Sequence, residues 1–209
     1  MKLLILSPPR TGTSNLLYKI AEQGFEKISE PYNIFLHKNR YKWPLRWNSY
    51  KTHIVVKHLI FSDNSNYQQV PNIDTEFSIS LFAKEFDKII LLDRKDYKSH
   101  LESFINLHYR TRYDSHIKYK YEDIPAEYIS NFLENNNQLH LIEGKELCKK
   151  LSIILNTPIT WYEELYGDNR ERSLEIIKEW GISNIDCNLL NKKLNPMFRY
   201  RQFSTTKII

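Results

Sequence analysis

The chain has little cysteine and little glycine for its length. Only two of its 209 residues are cysteines, Cys148 and Cys187, and neither belongs to a CxxC pair or a Cys/His metal-binding spacing. Neither a disulfide framework nor a cysteine-held metal is therefore expected. The five glycines form no Gly/Ser-rich linker, and no internal repeat divides the chain. We expect a single domain over residues 1–209, which is long enough to bury a core without such staples.

Long hydrophobic runs are also missing. Residues 3–6 and 89–92 are among the longest, and they fall far short of the ~20 apolar residues that a membrane-spanning helix needs. The amino-terminal residues lack a long apolar core followed by a small-residue cleavage site, so they are interpreted as a strand rather than a signal peptide. These observations predict a cytoplasmic protein without a membrane span.

What the chain does contain is a series of short apolar runs with helical patterns between them. The runs cover residues 3–6, 25–28, 53–56, 88–92 and 159–162. Runs of this length that alternate with helices are typical of parallel strands. The sequence therefore predicts an α/β domain with a mainly parallel central sheet flanked by helices.

Helical spacing follows the first and the fourth apolar run. Apolar residues recur on one helical face after each run: Leu16, Leu17, Ile20 and Ala21, then Leu101, Phe104, Ile105 and His108. Gly24 stands where a glycine often ends a helix. A longer helical stretch is predicted from near Asp123, with residues 135–137 weakening its middle.

The most informative segment is residues 7–14, S-P-P-R-T-G-T-S, between the first predicted strand and the first predicted helix. It has the spacing of a P-loop, G-x-x-x-x-G-K-[ST], with Gly12 and Ser14 at the second glycine and the hydroxyl position. Ser7 replaces the first glycine, and Thr13 replaces the lysine that reaches the β- and γ-phosphates. These departures weigh against an ATPase or a GTPase.

The remaining features of this segment suit a phosphate monoester or a phosphosulfate. Backbone N–H groups at a helix N-terminus form the cradle, and Arg10 supplies a cation. The glycine and the hydroxyl donors complete the set: Thr11, Gly12, Thr13 and Ser14. An ordinary strand-to-helix turn with an N-capping Thr or Ser is the alternative interpretation.

Residues 9–14, P-R-T-G-T-S, resemble the first loop of the sulfotransferases that use 3′-phosphoadenosine 5′-phosphosulfate (PAPS). In that family the loop commonly has the sequence P-[RK]-[ST]-G-T-[ST]. The resemblance implies a P-loop-like α/β architecture and a loop that holds the 5′-phosphosulfate. It places Arg10 against the bridging oxygen and the sulfuryl group, with the residues up to Ser14 completing the cradle.

A second segment is similar to the family's site for the 3′-phosphate, which combines an arginine at a strand end with a serine on the next helix. Residues 91–96, L-L-D-R-K-D, are followed by Ser103. A cation at a strand end and a hydroxyl on the following helix can converge on one phosphate. The pattern favours Arg94 and Ser103, while Lys95 and Ser99 remain the alternatives.

Four shorter segments follow the family's order along the chain. The dipeptide Glu30-Pro31 resembles the Glu-Pro of carbohydrate-type members, and Lys57 resembles the lysine that ends a third strand. Residues 161–165, W-Y-E-E-L, are similar to a Tyr-Glu-Asp-Leu element. Residues 201–204, which begin with Arg201, are similar to a late [RK]-Q-S segment that contributes to cofactor binding.

Sulfuryl transfer to a hydroxyl needs a base and cations near the departing phosphate oxygen, and it requires no metal. Glu30 is the candidate base because it follows a predicted parallel strand, at the sheet edge where ligand sites gather. His58 is the alternative base, since it follows Lys57 at another strand end. Lys57 is the candidate for stabilising the leaving oxygen.

Two basic, aromatic segments, residues 40–47 and 109–113, are candidates for contacts with the acceptor, a carbohydrate or another small molecule. The same composition suits a loop packed by its own side chains, or a non-enzymatic protein that binds nucleic acid. A net charge of 30 − 25 = +5 is too modest to favour nucleic acid. A P-loop nucleotide kinase is a further alternative, opposed by the threonine at position 13.

Overall fold

The computed structural model describes residues 1–29, 53–60, 76–112 and 120–182. Within these ranges the chain has five strands, and each overlaps one of the apolar runs. They are β1 (Lys2–Ser7), β2 (Glu26–Ser29), β3 (Ile54–Leu59), β4 (Lys88–Asp93) and β5 (Ile159–Trp161). The prediction of an α/β chain with a parallel sheet is therefore confirmed.

The five strands form one parallel sheet in the order β2-β3-β1-β4-β5. The central strand β1 pairs with two strands that come much later in the chain: Leu3 lies opposite Val55 on one side and Lys88 on the other. The side chains of β1 are buried on both faces of the sheet. This is why its sequence is a continuous apolar run rather than an alternating one.

Helices follow the strands along the chain. They are α1 (Thr13–Ala21), α2 (Glu76–Ala83), α3 (Tyr97–Arg112), α4 (Ala126–Glu134), α5 (Leu139–Ile154), α6 (Tyr162–Leu165) and α7 (Arg170–Glu179), with a 3-10 turn at Tyr121–Asp123. The longer helical stretch predicted from near residue 123 is divided in two, because the backbone at Asn136 is left-handed with a φ of 55°. No helix among the described residues is long and apolar enough to cross a membrane.

Two hydrophobic layers cover the sheet. Apolar residues of α1 and α7 pack on one face, around Leu3 and Ile5 of β1. Residues of α2 and α5 pack on the other face, around Leu4 and Leu6. A third cluster joins α3, α4 and α5 through Phe104, Ile105, Phe132 and Leu141. The carboxyl edge of the sheet is where the two motifs that the sequence predicts to bind anions meet.

Candidate functional site

The candidate site lies at the carboxyl ends of β1 and β4, which are neighbours in the sheet. The chain leaves β1 toward β2 on one side, and it leaves β4 toward β5 on the other side. In open parallel sheets, ligands bind in the crevice where two adjacent connections diverge in this way. The two predicted anion motifs follow these two strands, so the topology brings them to one crevice.

The first loop, residues 8–12, connects β1 to α1 through an unusual backbone. Arg10 and Gly12 both have left-handed φ angles, of 67° and 79°. A Cβ atom at position 12 would lie 2.8 Å from the ring of Tyr166 and 3.0 Å from the ring of Tyr162. Glycine is therefore required at position 12 by both the backbone conformation and the space. Among the described residues, no side chain caps the N-terminus of α1 at Gly12. Backbone N–H groups at a helix N-terminus favour anions.

The hydroxyl groups around the first loop divide into two kinds. Thr11 and Thr13 are buried and bond within the loop region: Thr11 donates to the carbonyl oxygen of Pro8 at 3.0 Å, and Thr13 Oγ1 lies 3.4 Å from Ser7 Oγ. Ser14, in the first turn of α1, is exposed and accepts a hydrogen bond from Lys57 of β3. The threonine hydroxyls shape the loop, and Ser14 faces outward.

Lys57 and His58, next to each other on β3, point to opposite faces of the sheet. Lys57 is only 4% exposed, and its Nζ donates to Ser14 Oγ at 3.0 Å. The ammonium group therefore lies at the first turn of α1. His58 packs edge-on against Phe82 of α2, with ring centroids 6.1 Å apart. The structure thus brings Lys57, and not His58, to the first loop.

The second motif reaches the first loop through its serine. Arg10 Nε donates to Ser103 Oγ at 3.1 Å, across 93 positions of sequence. The alternative serine, Ser99, donates instead to Oδ2 of Asp96 at 2.6 Å, at the start of α3. Of the two serines considered from the sequence, Ser103 is the one beside Arg10.

The two cations of the second motif point in different directions. The guanidinium carbon of Arg94 lies 3.9 Å from the centroid of the Tyr162 ring, which in turn borders Gly12. Arg94 Nε is buried and has no hydrogen-bond partner among the described residues. The ammonium group of Lys95 forms an exposed ion pair with Glu164 at 2.6 Å. This arrangement turns Arg94 toward the crevice and Lys95 away from it.

Two residues of the segment 161–166 hold the loops that border the crevice. Glu163 accepts hydrogen bonds from the backbone N–H groups of Lys95, at 3.0 Å, and Asp96, at 3.2 Å. Burial raises the pKa of Glu163, but these bonds, the backbone N–H of Glu163 itself and the charge of Arg94 together bring the pKa below its ordinary value. Tyr166 donates its hydroxyl proton to the carbonyl oxygen of Gly12 at 2.8 Å. Burial raises the pKa of Tyr166, so the phenol stays protonated as a donor.

A buried polar group beneath the crevice was not anticipated from the sequence. Asp93, at the end of β4, accepts hydrogen bonds from Lys145 of α5 at 2.8 Å and from the backbone N–H of Arg94 at 2.7 Å. His100 of α3 is fully buried and bonds to the carbonyl oxygen of Pro9 through Nε2 at 2.6 Å. Burial raises the pKa of Asp93 and lowers that of His100 to about 4.

The sequence held a signal for Asp93, which lies within residues 91–96 of the second motif, and for His100. His100 precedes Ser103 by three positions on α3, so the two share a helix face, and that face was already assigned to the site. Lys145 lies more than 40 positions after Ser103, on a helix with no motif, and only the tertiary fold brings it to Asp93.

Three of the predicted site elements lie outside the described residues. They are the candidate base Glu30, the late cationic residue Arg201 and the basic, aromatic segment 40–47. The described part of the site therefore comprises the first loop, Lys57, Arg94 and Ser103.

Comparison of the chain with models of protein families and with curated proteins finds no match. The residues of the crevice are therefore the basis for assigning a function.

Proposed function

We propose that this chain is a sulfotransferase that moves a sulfuryl group from PAPS to an acceptor hydroxyl on a carbohydrate or another small molecule. The observation that carries the proposal is the 3.1 Å hydrogen bond from Arg10 to Ser103. It joins the residue expected at the 5′-phosphosulfate to the residue expected at the 3′-phosphate. A donor with phosphates on two positions of one ribose needs two anion sites close together, and these motifs supply them.

Each described residue has a role in this proposal. The backbone N–H groups at the start of α1 and the guanidinium of Arg10 hold the 5′-phosphosulfate. Arg94 and Ser103 hold the 3′-phosphate, and the buried, unpartnered Nε of Arg94 is suited to an anionic acceptor atom. Lys57 lies at the first turn of α1, where a cation opposes charge on the departing 5′-phosphate oxygen.

The reaction exchanges one sulfur–oxygen bond for another. The acceptor oxygen bonds to sulfur as the bond from sulfur to the bridging phosphate oxygen breaks. The electron pair of that bond stays on the phosphate, and the acceptor's proton passes to a base. The products are a sulfate ester and 3′,5′-ADP. Glu30 is the proposed base, with His58 as the alternative; the position of His58 on the face opposite Lys57 favours Glu30.

A nucleotide kinase is the second candidate, and one observation favours it. A P-loop kinase needs a lysine at the phosphate loop, and Thr13 does not supply one. The Nζ of Lys57, at 3.0 Å from Ser14 Oγ, brings an ammonium group to that loop from another strand. The two candidates differ in the nucleotide they bind, since ATP lacks a 3′-phosphate.

A thermal-shift series separates the two functions. We expect 3′,5′-ADP without magnesium to stabilise the protein by about 3 kcal/mol at a hundred times its Kd, and 5′-AMP to stabilise it less at equal concentration. Stabilisation by ATP with magnesium and none by 3′,5′-ADP would contradict the sulfotransferase proposal and favour a kinase. Tight binding of single-stranded nucleic acid with a steep salt dependence would favour a binding protein.

Neighbouring cations provide a matched pair of variants for the 3′-phosphate. Arg94→Ala is expected to weaken 3′,5′-ADP binding by about 10- to 100-fold, the effect of losing charge-assisted hydrogen bonds. Lys95→Ala should leave the affinity unchanged, because Lys95 pairs with Glu164 at the surface. Calorimetric titration measures both. The reverse result would move the 3′-phosphate ligand one position along the chain.

Turnover is tested with radiolabelled PAPS against classes of hydroxyl acceptors. Arg10→Ala should lower transfer by about 10²- to 10³-fold, because a charge-assisted donor at the reacting group contributes on the order of 3 kcal/mol. Glu30→Gln should lower turnover by about 10²- to 10⁴-fold and leave 3′,5′-ADP binding nearly unchanged. The base is the histidine if Glu30→Gln keeps its turnover and His58→Ala loses it, provided that His58→Ala is folded and still binds 3′,5′-ADP.

A further inference from the structure

Side chains anchor three carbonyl groups of the first loop. The hydroxyl of Thr11 donates to the carbonyl oxygen of Pro8, at 3.0 Å. The imidazole of His100 bonds to that of Pro9 at 2.6 Å, and the phenol of Tyr166 donates to that of Gly12 at 2.8 Å. Two of these anchors come from distant elements of the chain, α3 and the segment after α6. The loop conformation is therefore imposed by tertiary contacts.

The anchor at Pro9 controls the direction of the next N–H group. The described part of the chain contains no cis peptide bond, so the Pro9 carbonyl and the Arg10 N–H point in opposite directions. Since the carbonyl turns toward the fully buried His100, the N–H of Arg10 turns away from the interior. Arg10 itself has a φ of 67°, a conformation that costs a non-glycine residue about 1–3 kcal/mol and requires support from its surroundings.

The imidazole of His100 is itself held in place. A carbonyl oxygen only accepts hydrogen bonds, so Nε2 carries the proton that is donated to Pro9. The other ring nitrogen, Nδ1, then carries no proton; it lies 3.8 Å from Oδ1 of Asp93 and has no hydrogen-bond partner among the described residues. Lys145 fixes Asp93 at 2.8 Å, and its ammonium group also donates to the carbonyl oxygen of Arg94 at 2.6 Å. His100 thus contacts the backbone of the first loop, and Lys145 contacts the backbone of the loop that carries Arg94.

We infer that His100 is a positioning residue, which sets the direction of Arg10 in the first loop through the Pro9 carbonyl. The inference rests on the proposed function in so far as Arg10 acts on the 5′-phosphosulfate. His100 does not contact the reacting atoms; it acts through the Pro9 carbonyl. Burial keeps the pKa of His100 near 4, so the imidazole is neutral and remains a single Nε2–H donor at pH 7.

Three variants test the role of His100. His100→Leu removes the donor and should lower kcat by about 10²-fold, the effect of misplacing a catalytic group by ~1 Å, with the acceptor KM unchanged. In His100→Gln the amide nitrogen takes the place of Nε2, and kcat should recover to within about tenfold of the wild-type value. His108→Leu is the matched control: it removes another histidine of α3, one that bonds to Tyr128, and it should leave kcat unchanged. Equal kcat values for His100→Leu and the wild type would overturn the inference.

Imidazole nitrogen NMR tests the inference without any nucleotide. In the wild-type protein, His100 should show the Nε2–H tautomer with no titration between pH 5.5 and 8, whereas His100→Leu should shift the backbone amide resonance of Arg10. Titration of His100 near its ordinary pKa of about 6.5, or an Nδ1–H tautomer, would overturn the inference. If the wild type binds no 3′,5′-ADP, the proposed function fails, and these spectra still decide whether His100 positions the loop.

Discussion

Gly12 and Gly24, two of the three left-handed glycines among the described residues, allow a sharp test of the contacts around the first loop. Their φ angles are 79° and 89°, so alanine at either position costs about 1–2 kcal/mol in backbone energy. A Cβ at position 24 would meet nothing within 4 Å, whereas a Cβ at position 12 would lie 2.8 Å from the Tyr166 ring. Overpacking adds about 1–3 kcal/mol. We expect Gly24→Ala to lower the free energy of unfolding by about 1–2 kcal/mol, and Gly12→Ala by about 2–5 kcal/mol.

Urea denaturation of the two variants and the wild type measures this difference. The m-values should agree, so that the midpoints can be compared directly. Gly12→Ala should also weaken 3′,5′-ADP binding, because Tyr166 must move and it anchors the Gly12 carbonyl. Gly24→Ala should bind normally. Equal destabilisation by the two substitutions would refute the steric part of this reasoning, and normal binding by Gly12→Ala would refute the functional part.

Three further predictions concern the same region. His100 takes up a proton near pH 6.5 in the unfolded state and only near pH 4 in the native state, so the free energy of unfolding should decrease as the pH is lowered from 6.5 to 4. The decrease should be up to about 3 kcal/mol larger in the wild type than in His100→Gln. Asp93, whose raised pKa acts in the opposite sense, and the nearby Lys145, Arg94 and Glu163 are common to both proteins. Gly144→Ala should destabilise the protein in urea by about 1–3 kcal/mol despite its better helix propensity, because the new Cβ would lie 2.8 Å from the Ile60 carbonyl oxygen. Lys57→Met, which keeps the buried stem, should lower kcat by about 10²- to 10³-fold, and a smaller loss than tenfold would remove Lys57 from the leaving-group site.

The fold was largely predictable because its signals are local. The structure forms a strand at every short apolar run, and the strands β1, β3 and β4 are largely buried. The order of the strands in the sheet could not be predicted from the apolar runs, because no feature of residues 2–7 specifies that β3 and β4 are the neighbours of β1. At Asn136 the sequence predicts a weak point in one helix and not a break between two, since the left-handed conformation of an asparagine depends on its surroundings.

The site was predictable where it rests on consecutive residues. The first loop and the position of Ser103 relative to β4 followed from short spacings. The distant anchors of that loop did not, because His100 and Tyr166 reach the loop across 91 and 154 positions of sequence. Lys145 reaches Asp93 across 52 positions. A pattern search that looks for phosphate ligands also overlooks groups that bond to carbonyl oxygens and so never contact a phosphate.

The central place of β1 has a consequence for synthesis of the chain. Leu3 pairs with Lys88, which is made 85 residues later. At roughly 5–20 residues per second, translation needs about 4–17 s to produce that partner. Until then one edge of the apolar strand β1 is unpaired, and the first loop lacks the helix that supplies His100 and Ser103. We expect chains that end before β4 to aggregate, and nucleotide binding to be acquired only after α5 and α6 have been made.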